Sequence, residues 1–149
     1  MIDKKYEGLP GLLTETIPWV KDGGLKLIEA TDRHVKLMIP KDKHLNHVGI
    51  VYAGSLFMLM EVAGAALMAT TYTGYVPINK GMSIEFKKPG LTDMYCDLTL
   101  TREDADAMIK PIEESEKKKG DWVLKMEATD ENGQVCATSV CTYYLKKFA

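Results

Sequence analysis

The segment from Ala53 to Thr71 constrains the fold of this chain more than any other. Its polar residues are only Ser55, Glu61, Thr70 and Thr71. A helix that is apolar on all sides is buried, either in a core or in a membrane. A carboxylate in the middle of a lone membrane span costs roughly 2.5–3.5 kcal/mol, and no second span follows. The segment therefore predicts a helix buried in the core of a folded domain.

The flanking segments alternate apolar and polar residues with the period of β-strands. Strands are predicted over residues 25–30, 34–39, 82–86, 94–101, 122–128 and 135–146, with a hairpin turn at Asn132-Gly133. Because these strands come in consecutive runs, the fold class is α+β. We expect a curved antiparallel sheet wrapped around one long central helix. The 149 residues make one domain, in which residues 1–24 form an irregular N-terminal segment.

Prolines give two further local expectations. A short helix starts at Pro10 and is stopped by Pro18. A second helix, within the charged stretch from Glu103 to Lys119, is split or kinked by Pro111.

Charge and cysteine content exclude some function classes. The net charge of −2, with both signs spread along the chain, gives no reason to expect a nucleic acid or an anionic membrane as partner. No apolar run follows the charged N-terminal residues, so no secretory signal is expected. The three cysteines form no paired motif, which indicates free thiols in a reducing compartment. We expect a cytoplasmic protein.

The start of the predicted helix carries the pattern most suggestive of chemistry. Asn46 and Gly49 precede it, Tyr52-Ala53-Gly54 opens it, and Glu61 lies about two turns inside. The unpaired N–H groups and the positive dipole end of a helix stabilise a polarised carbonyl or an oxyanion. A buried carboxylate nearby can act as general base or nucleophile. The combination predicts an acyl-transfer site.

These residues resemble the signature of hotdog-fold acyl-CoA thioesterases of the phenylacetate-pathway type, and the resemblance covers roughly residues 25–145. It implies hydrolysis of acyl-CoA by a homodimer or a dimer of dimers. It further implies that the backbone N–H of Ala53 holds the thioester oxygen and that Asn46 orients the attacking water or the carbonyl oxygen. Glu61 is expected to act from across the dimer interface. Asn79 lies where relatives often place a serine or threonine facing the thioester.

The sequence departs from the family pattern at two positions. Tyr52 stands where many members have histidine, and Ala53 stands where they have glycine. A non-catalytic acyl-CoA-binding module is therefore a second reading. A third is an acyl-thioester dehydratase or hydratase, because His47 and Glu61 are spaced as in the hotdog dehydratases. The remaining candidate substrate-binding residues are Gly49, Tyr52, Gly54 and Ser83, together with Lys87 and Lys88 for the phosphates of coenzyme A.

The other expectations concern cofactors, histidines and assembly. No metal site is expected, and no redox cofactor is needed, since coenzyme A belongs to the substrate. His34 and His44 are expected at the surface. The small residues from Ala63 to Ala66 are expected to thin the helix at a dimer interface.

Overall fold

The computed structural model describes residues 1–148 and contains one six-stranded antiparallel sheet in the order β1-β2-β4-β5-β6-β3. The strands are β1 (Lys26–Thr31), β2 (His34–Ile39), β3 (Tyr75–Phe86), β4 (Met94–Thr99), β5 (Lys119–Thr129) and β6 (Val135–Lys147). The helices are α1 (Pro18–Asp22), α2 (Ala53–Thr71) and α3 (Arg102–Glu114). This is a hotdog fold, as the resemblance implies: a curved sheet around one long helix.

Helix α2 has the predicted bounds and is the core of the molecule. Leu59, Met60 and Ala63 are completely buried against strands from both halves of the sheet. The helix is long and apolar enough to cross a membrane, yet about two-thirds of it is buried inside the fold. Its apolar character is thus explained by burial within the domain.

The sheet follows the alternating pattern, but five of the six strands differ from their predicted bounds. Strand β4 ends two residues earlier than predicted, β6 ends one residue later, and β5 is longer at both ends. Strand β2 has the predicted bounds, whereas β1 begins and ends one residue later than predicted. Strand β3 begins at Tyr75 and passes through Pro77, so it is longer than the predicted segment. Proline is tolerated there because β3 is the outermost strand and pairs on one side only, with β6. The Asn132-Gly133 hairpin joins β5 to β6, with Gly133 at φ 80°.

The two proline-based expectations have different outcomes. A helical segment does begin at Leu9-Pro10, continues as the π-helical turn Gly11–Glu15 and ends before Pro18. Pro18 itself occupies the first position of α1, where its missing N–H has no partner to lose. Helix α3 continues through Pro111 without a break. Pro111 removes the one backbone hydrogen bond that its own N–H would donate, and the predicted split of the helix at this residue is wrong.

The small residues of α2 serve the interior of the protomer. Ala63, Gly64 and Ala66 are buried beneath the sheet, and a Cβ atom at Gly64 would collide with the hydroxyl of Tyr143. Their placement at a dimer interface is therefore wrong, and Gly64 allows β6 to approach the helix closely; the fourth small residue, Ala65, is only partly buried, so for it the placement stays a prediction.

Candidate active site

Asn46 shapes the loop that leads into α2. Its side-chain oxygen accepts hydrogen bonds from the backbone N–H groups of Val48, at 3.0 Å, and Ile50, at 3.2 Å. Gly49 closes the turn at φ 79°, a conformation that favours glycine. Because the oxygen must be the atom that accepts these bonds, the Asn46 amide nitrogen points away from them and is left to donate elsewhere.

The first turn of α2 presents free backbone donors. Tyr52 is the N-cap, and its side chain makes no capping hydrogen bond. Its carbonyl accepts from Ser55 and Leu56, whereas the N–H groups of Ala53 and Gly54 have no acceptor in the described part of the chain. The Tyr52 ring lies over Gly54 so closely that a Cβ atom there would be 2.6 Å from the ring. Such a helix start favours a negatively polarised ligand atom.

A buried histidine holds the first turn of α2 in place through two hydrogen bonds. His44 is only 4% exposed, so its predicted surface position is wrong. Its Nε2 donates to the Gly23 carbonyl at 2.8 Å, and its Nδ1 lies 2.8 Å from the hydroxyl of Ser55. Since a carbonyl can only accept, Nε2 carries a proton, and Nδ1 shares the second hydrogen bond with the Ser55 hydroxyl. His44 thus joins the end of α1 to the first turn of α2.

Three hollows meet at Ala53. The polar hollow, 590 Å³, contains Asn46, His47 and the His44–Ser55 pair. The basic hollow, 270 Å³, contains Asn46 with Lys87 and Lys88. The apolar hollow, 380 Å³, is lined by Trp19, Gly54, Phe57, Met82, Ile84 and Phe86. A ligand atom at the Ala53 N–H therefore has an apolar, a polar and a basic surface within reach.

Glu61 lies further along α2, beside strand β3. The carboxylate is half-buried, and this burial raises its pKa; a contact with the Asn79 side chain lowers the pKa and offsets part of the effect. Asn79 reaches the helix because β3 is irregular between Asn79 and Gly81. This bulge puts Asn79 on the same face as Met82, and an unbroken strand would have turned it away.

The predicted site residues form two groups and one outlier. The first group lies in or beside the loop and the helix start, and it consists of Asn46, His47, Gly49, Tyr52, Ala53, Gly54, Lys87 and Lys88. Glu61 and Asn79 form the second group, eight residues or about 12 Å further along the helix axis. Ser83 is exposed on the outer face of the sheet, opposite to Met82 and Ile84, and is not brought to either group.

Sequence reasoning missed three contributors to the helix start. His44 gave no signal, because it follows a lysine-rich turn and its partner Gly23 is distant in sequence. Trp19 lies in the segment predicted to be irregular, yet it borders both the polar and the apolar hollows. Ser55 resembled an ordinary polar residue in the first turn of a helix. Among residues 1–148, no group of three His, Cys, Asp or Glu side chains is placed to hold a metal ion.

Comparison with known protein families assigns the chain to one of them. The model of a domain of unknown function, DUF4442, matches residues 13–145. The chain belongs to the DUF4442 family. A comparison with curated proteins finds no match.

Solved structures of similar proteins agree with this fold. A Pseudomonas aeruginosa protein of unknown function, described as a probable thioesterase, is 32% identical with a TM-score of 0.83, and 93% of each chain is covered. A Haemophilus influenzae thioesterase is 15% identical with a TM-score of 0.73, covering 95% of this chain and 90% of its own. Mouse thioesterase superfamily member 2 is 12% identical with a TM-score of 0.70, covering 95% and 98%. The resemblance to hotdog-fold thioesterases is therefore confirmed.

Proposed function

We propose that this protein hydrolyses acyl-CoA thioesters to a free acid and coenzyme A. The observation that carries the proposal is the pair of unpartnered N–H groups at Ala53 and Gly54, at the place where three hollows of different polarity meet at Ala53. The fold is shared with named thioesterases and with a 32% identical protein described as a probable thioesterase, which supports the same chemistry. No metal or redox cofactor is required.

In this mechanism the thioester oxygen accepts a hydrogen bond from the Ala53 N–H. The helix dipole and this donor stabilise the negative charge that develops on the oxygen. Glu61 takes a proton from water as the water oxygen attacks the carbonyl carbon. Collapse of the tetrahedral intermediate breaks the carbon–sulfur bond, and the proton returns to the thiolate of coenzyme A. Direct attack by the Glu61 carboxylate, followed by hydrolysis of the anhydride, uses the same geometry.

The distance between the two groups of residues supports a site shared by two copies of the chain. A reacting carbonyl needs the donor and the base within about 3 Å each, whereas Ala53 and Glu61 of one chain are about 12 Å apart along α2. The outer strand β3 and its surroundings expose large apolar side chains, including Phe57, Ile78 and Phe86. Pairing two such edges would cover them and bring Glu61 of one copy towards Ala53 of the other.

The three hollows suggest how the parts of acyl-CoA divide among them. The apolar hollow fits the acyl group, with the indole of Trp19 at its border. Lys88 makes no ion pair among residues 1–148, and the exposed Lys87 side chain pairs with Glu85. We propose that Lys88 binds the phosphates and that Lys87 exchanges Glu85 for them. The free amide nitrogen of Asn46, between the basic and polar hollows, suits the orientation of water or the carbonyl oxygen.

The test is release of free thiol from a panel of acyl-CoA substrates, measured beside Glu61→Gln. The amide keeps the shape of the side chain and removes its charge, so we expect kcat to fall by about 10² to 10⁴ while acyl-CoA still binds. Glu103→Gln, at an exposed position on α3, is the matched control and should retain parent activity.

Two experimental results would assign the protein a different function. Binding of acyl-CoA without thiol release by the parent would identify a binding module. An absorbance change with 3-hydroxyacyl or enoyl thioesters, lost in His47→Ala, would identify a dehydratase or hydratase. We further propose a cytoplasmic homodimer, with no nucleic-acid or membrane partner.

A further inference from the structure

The sheet opens between β4 and β5. These neighbouring strands are joined by one rung, Tyr95 with Thr129, whereas β5 pairs with β6 along its whole length. Continuing the antiparallel register from that rung would put residues 97–100 opposite residues 127–124. Both stretches instead line a cavity of 620 Å³. The cavity therefore occupies the place where the missing rungs would lie, and we call it the sheet slot.

Helix α3 holds the slot open at its far end. It connects β4 to β5, so the two strands separate to reach its ends. It is anchored by Ile112, which is 2% exposed, and by a hydrogen bond of 2.8 Å from the Tyr72 hydroxyl to the carbonyl of Ala105. Because these anchors lie in the core, the opening belongs to the folded structure and is not a frayed strand end.

The slot is apolar inside and charged at its rim. Leu67 of α2 forms its floor, with Leu98, Leu124 and Met126 on its walls. The charged residues at the rim are three carboxylates, Asp97, Glu127 and Glu85, and one lysine, Lys125. A cavity of this size, lined by apolar side chains together with polar ones, is within the range that binds small molecules.

One buried hydroxyl at the base of the slot has no protein partner. Ser139 on β6 is 5% exposed, and its Oγ atom makes no hydrogen bond with any described residue. An unsatisfied buried hydroxyl costs about 1–3 kcal/mol, so a partner in the slot is favoured. A serine hydroxyl can donate to a carbonyl oxygen or accept from another hydroxyl.

We propose that the sheet slot is a binding site for an aliphatic chain that carries an uncharged hydroxyl or carbonyl group. The chain would cover the apolar floor and walls, and its polar group would bond to Ser139. A charged group is excluded from the base because burial of an unpaired ion is too costly. This site is separate from the helix start and does not depend on thioester hydrolysis.

The experiment is a titration of the full chain with 1-octanol, followed by backbone amide NMR. We expect saturable shifts at residues 97–100, 124–127 and 139, and much weaker ones with octanoate, which has the same chain length and a negative charge. No saturable shift in these strands would mean that the slot holds only solvent, and would overturn the proposal. Shifts centred on Ala53 and Phe57 would do the same, because they would place octanol in the apolar hollow.

Two substitutions at Ser139 separate binding from folding. Ser139→Ala breaks no protein hydrogen bond and should weaken octanol binding about fivefold, the effect of one hydrogen bond. Ser139→Val fills the base with methyl groups and should abolish binding while raising the melting temperature. Thr73→Ala, which removes an exposed hydroxyl outside the slot, should bind octanol like the parent. Equal binding by the parent and both Ser139 variants would contradict the proposal.

Discussion

The hydroxyl of Tyr143 donates a hydrogen bond of 2.6 Å to the backbone carbonyl of Glu61. Tyr143 is completely buried on β6, and burial keeps the pKa of its phenol far above the ordinary value, so the donor is always protonated. Gly64, one turn further along α2, leaves the space that the phenol occupies. The sheet thus holds the helix at the residue that carries the candidate catalytic carboxylate.

We predict that Tyr143→Phe lowers the free energy of unfolding by about 0.5–1.5 kcal/mol, because one buried hydrogen bond is lost while the ring is kept. Urea denaturation measures the change. Tyr144→Phe is the matched control: this neighbour makes no side-chain hydrogen bond among the described residues and should leave stability unchanged. Equal losses in the two variants would show that the Tyr143 hydroxyl has no special role.

Much of this fold can be predicted from the sequence because local pattern and burial agree. Helix α2 is apolar on every side, and a core is the one place in a folded domain that accepts it. The strand from His34 to Ile39 alternates without interruption, so its bounds are also correct. In both segments, each residue type favours the same structure that the tertiary contacts require.

The candidate site is predicted less completely because it depends on contacts between residues distant in sequence. The sequence indicates Asn46, Ala53 and Glu61, which lie close together along the chain. It does not show that a bulge turns Asn79 towards Glu61, although Gly81 within a strand is a known signal of such irregularity. Nor does it show that His44 is buried, since that follows from a carbonyl brought near by α1.

We predict that His44→Leu destabilises the protein by about 2 kcal/mol or more. The substitution keeps apolar volume but leaves the Gly23 carbonyl and the Ser55 hydroxyl without their partner, and each unsatisfied buried group costs about 1–3 kcal/mol. Urea denaturation compares it with His47→Leu, which removes an exposed histidine of the same loop and should change stability by less than about 0.5 kcal/mol. Similar small effects in both variants would contradict the anchoring role of His44.

We predict a pH-dependent stability difference between the parent and Glu61→Gln. Burial raises the pKa of Glu61 in the folded state above the ordinary value of 4.5. The folded state then binds this proton more tightly than the unfolded state, so the contribution of Glu61 is most favourable below pH 4.5. That contribution is lost as the pH rises through the folded-state pKa. Glutamine does not ionise, so its contribution to stability does not change with pH in this way.

The two proteins should therefore be similarly stable near pH 4, and Glu61→Gln should be the more stable one at pH 8. Chemical denaturation at a series of pH values measures this difference. The activity of the parent should rise with pH over the same window, because a general base must be ionised. A stability difference that stays constant from pH 4 to pH 8 would show that the environment of Glu61 does not favour its neutral form.

The last prediction tests whether the site is shared between two copies. Asn46→Asp keeps the oxygen that accepts from Val48 and Ile50 and removes the amide donor, so the loop should persist while activity falls. Glu61→Gln removes the carboxylate. In a mixed dimer of these variants, a shared site pairs the intact Asn46 of one copy with the intact Glu61 of the other. Random mixing makes half of the dimers mixed, each with one intact site of two, so about a quarter of the parent activity should return. If Asn46 and Glu61 act within the same chain, every site in the mixture lacks one of them, and refolding the variants together would restore no thiol release.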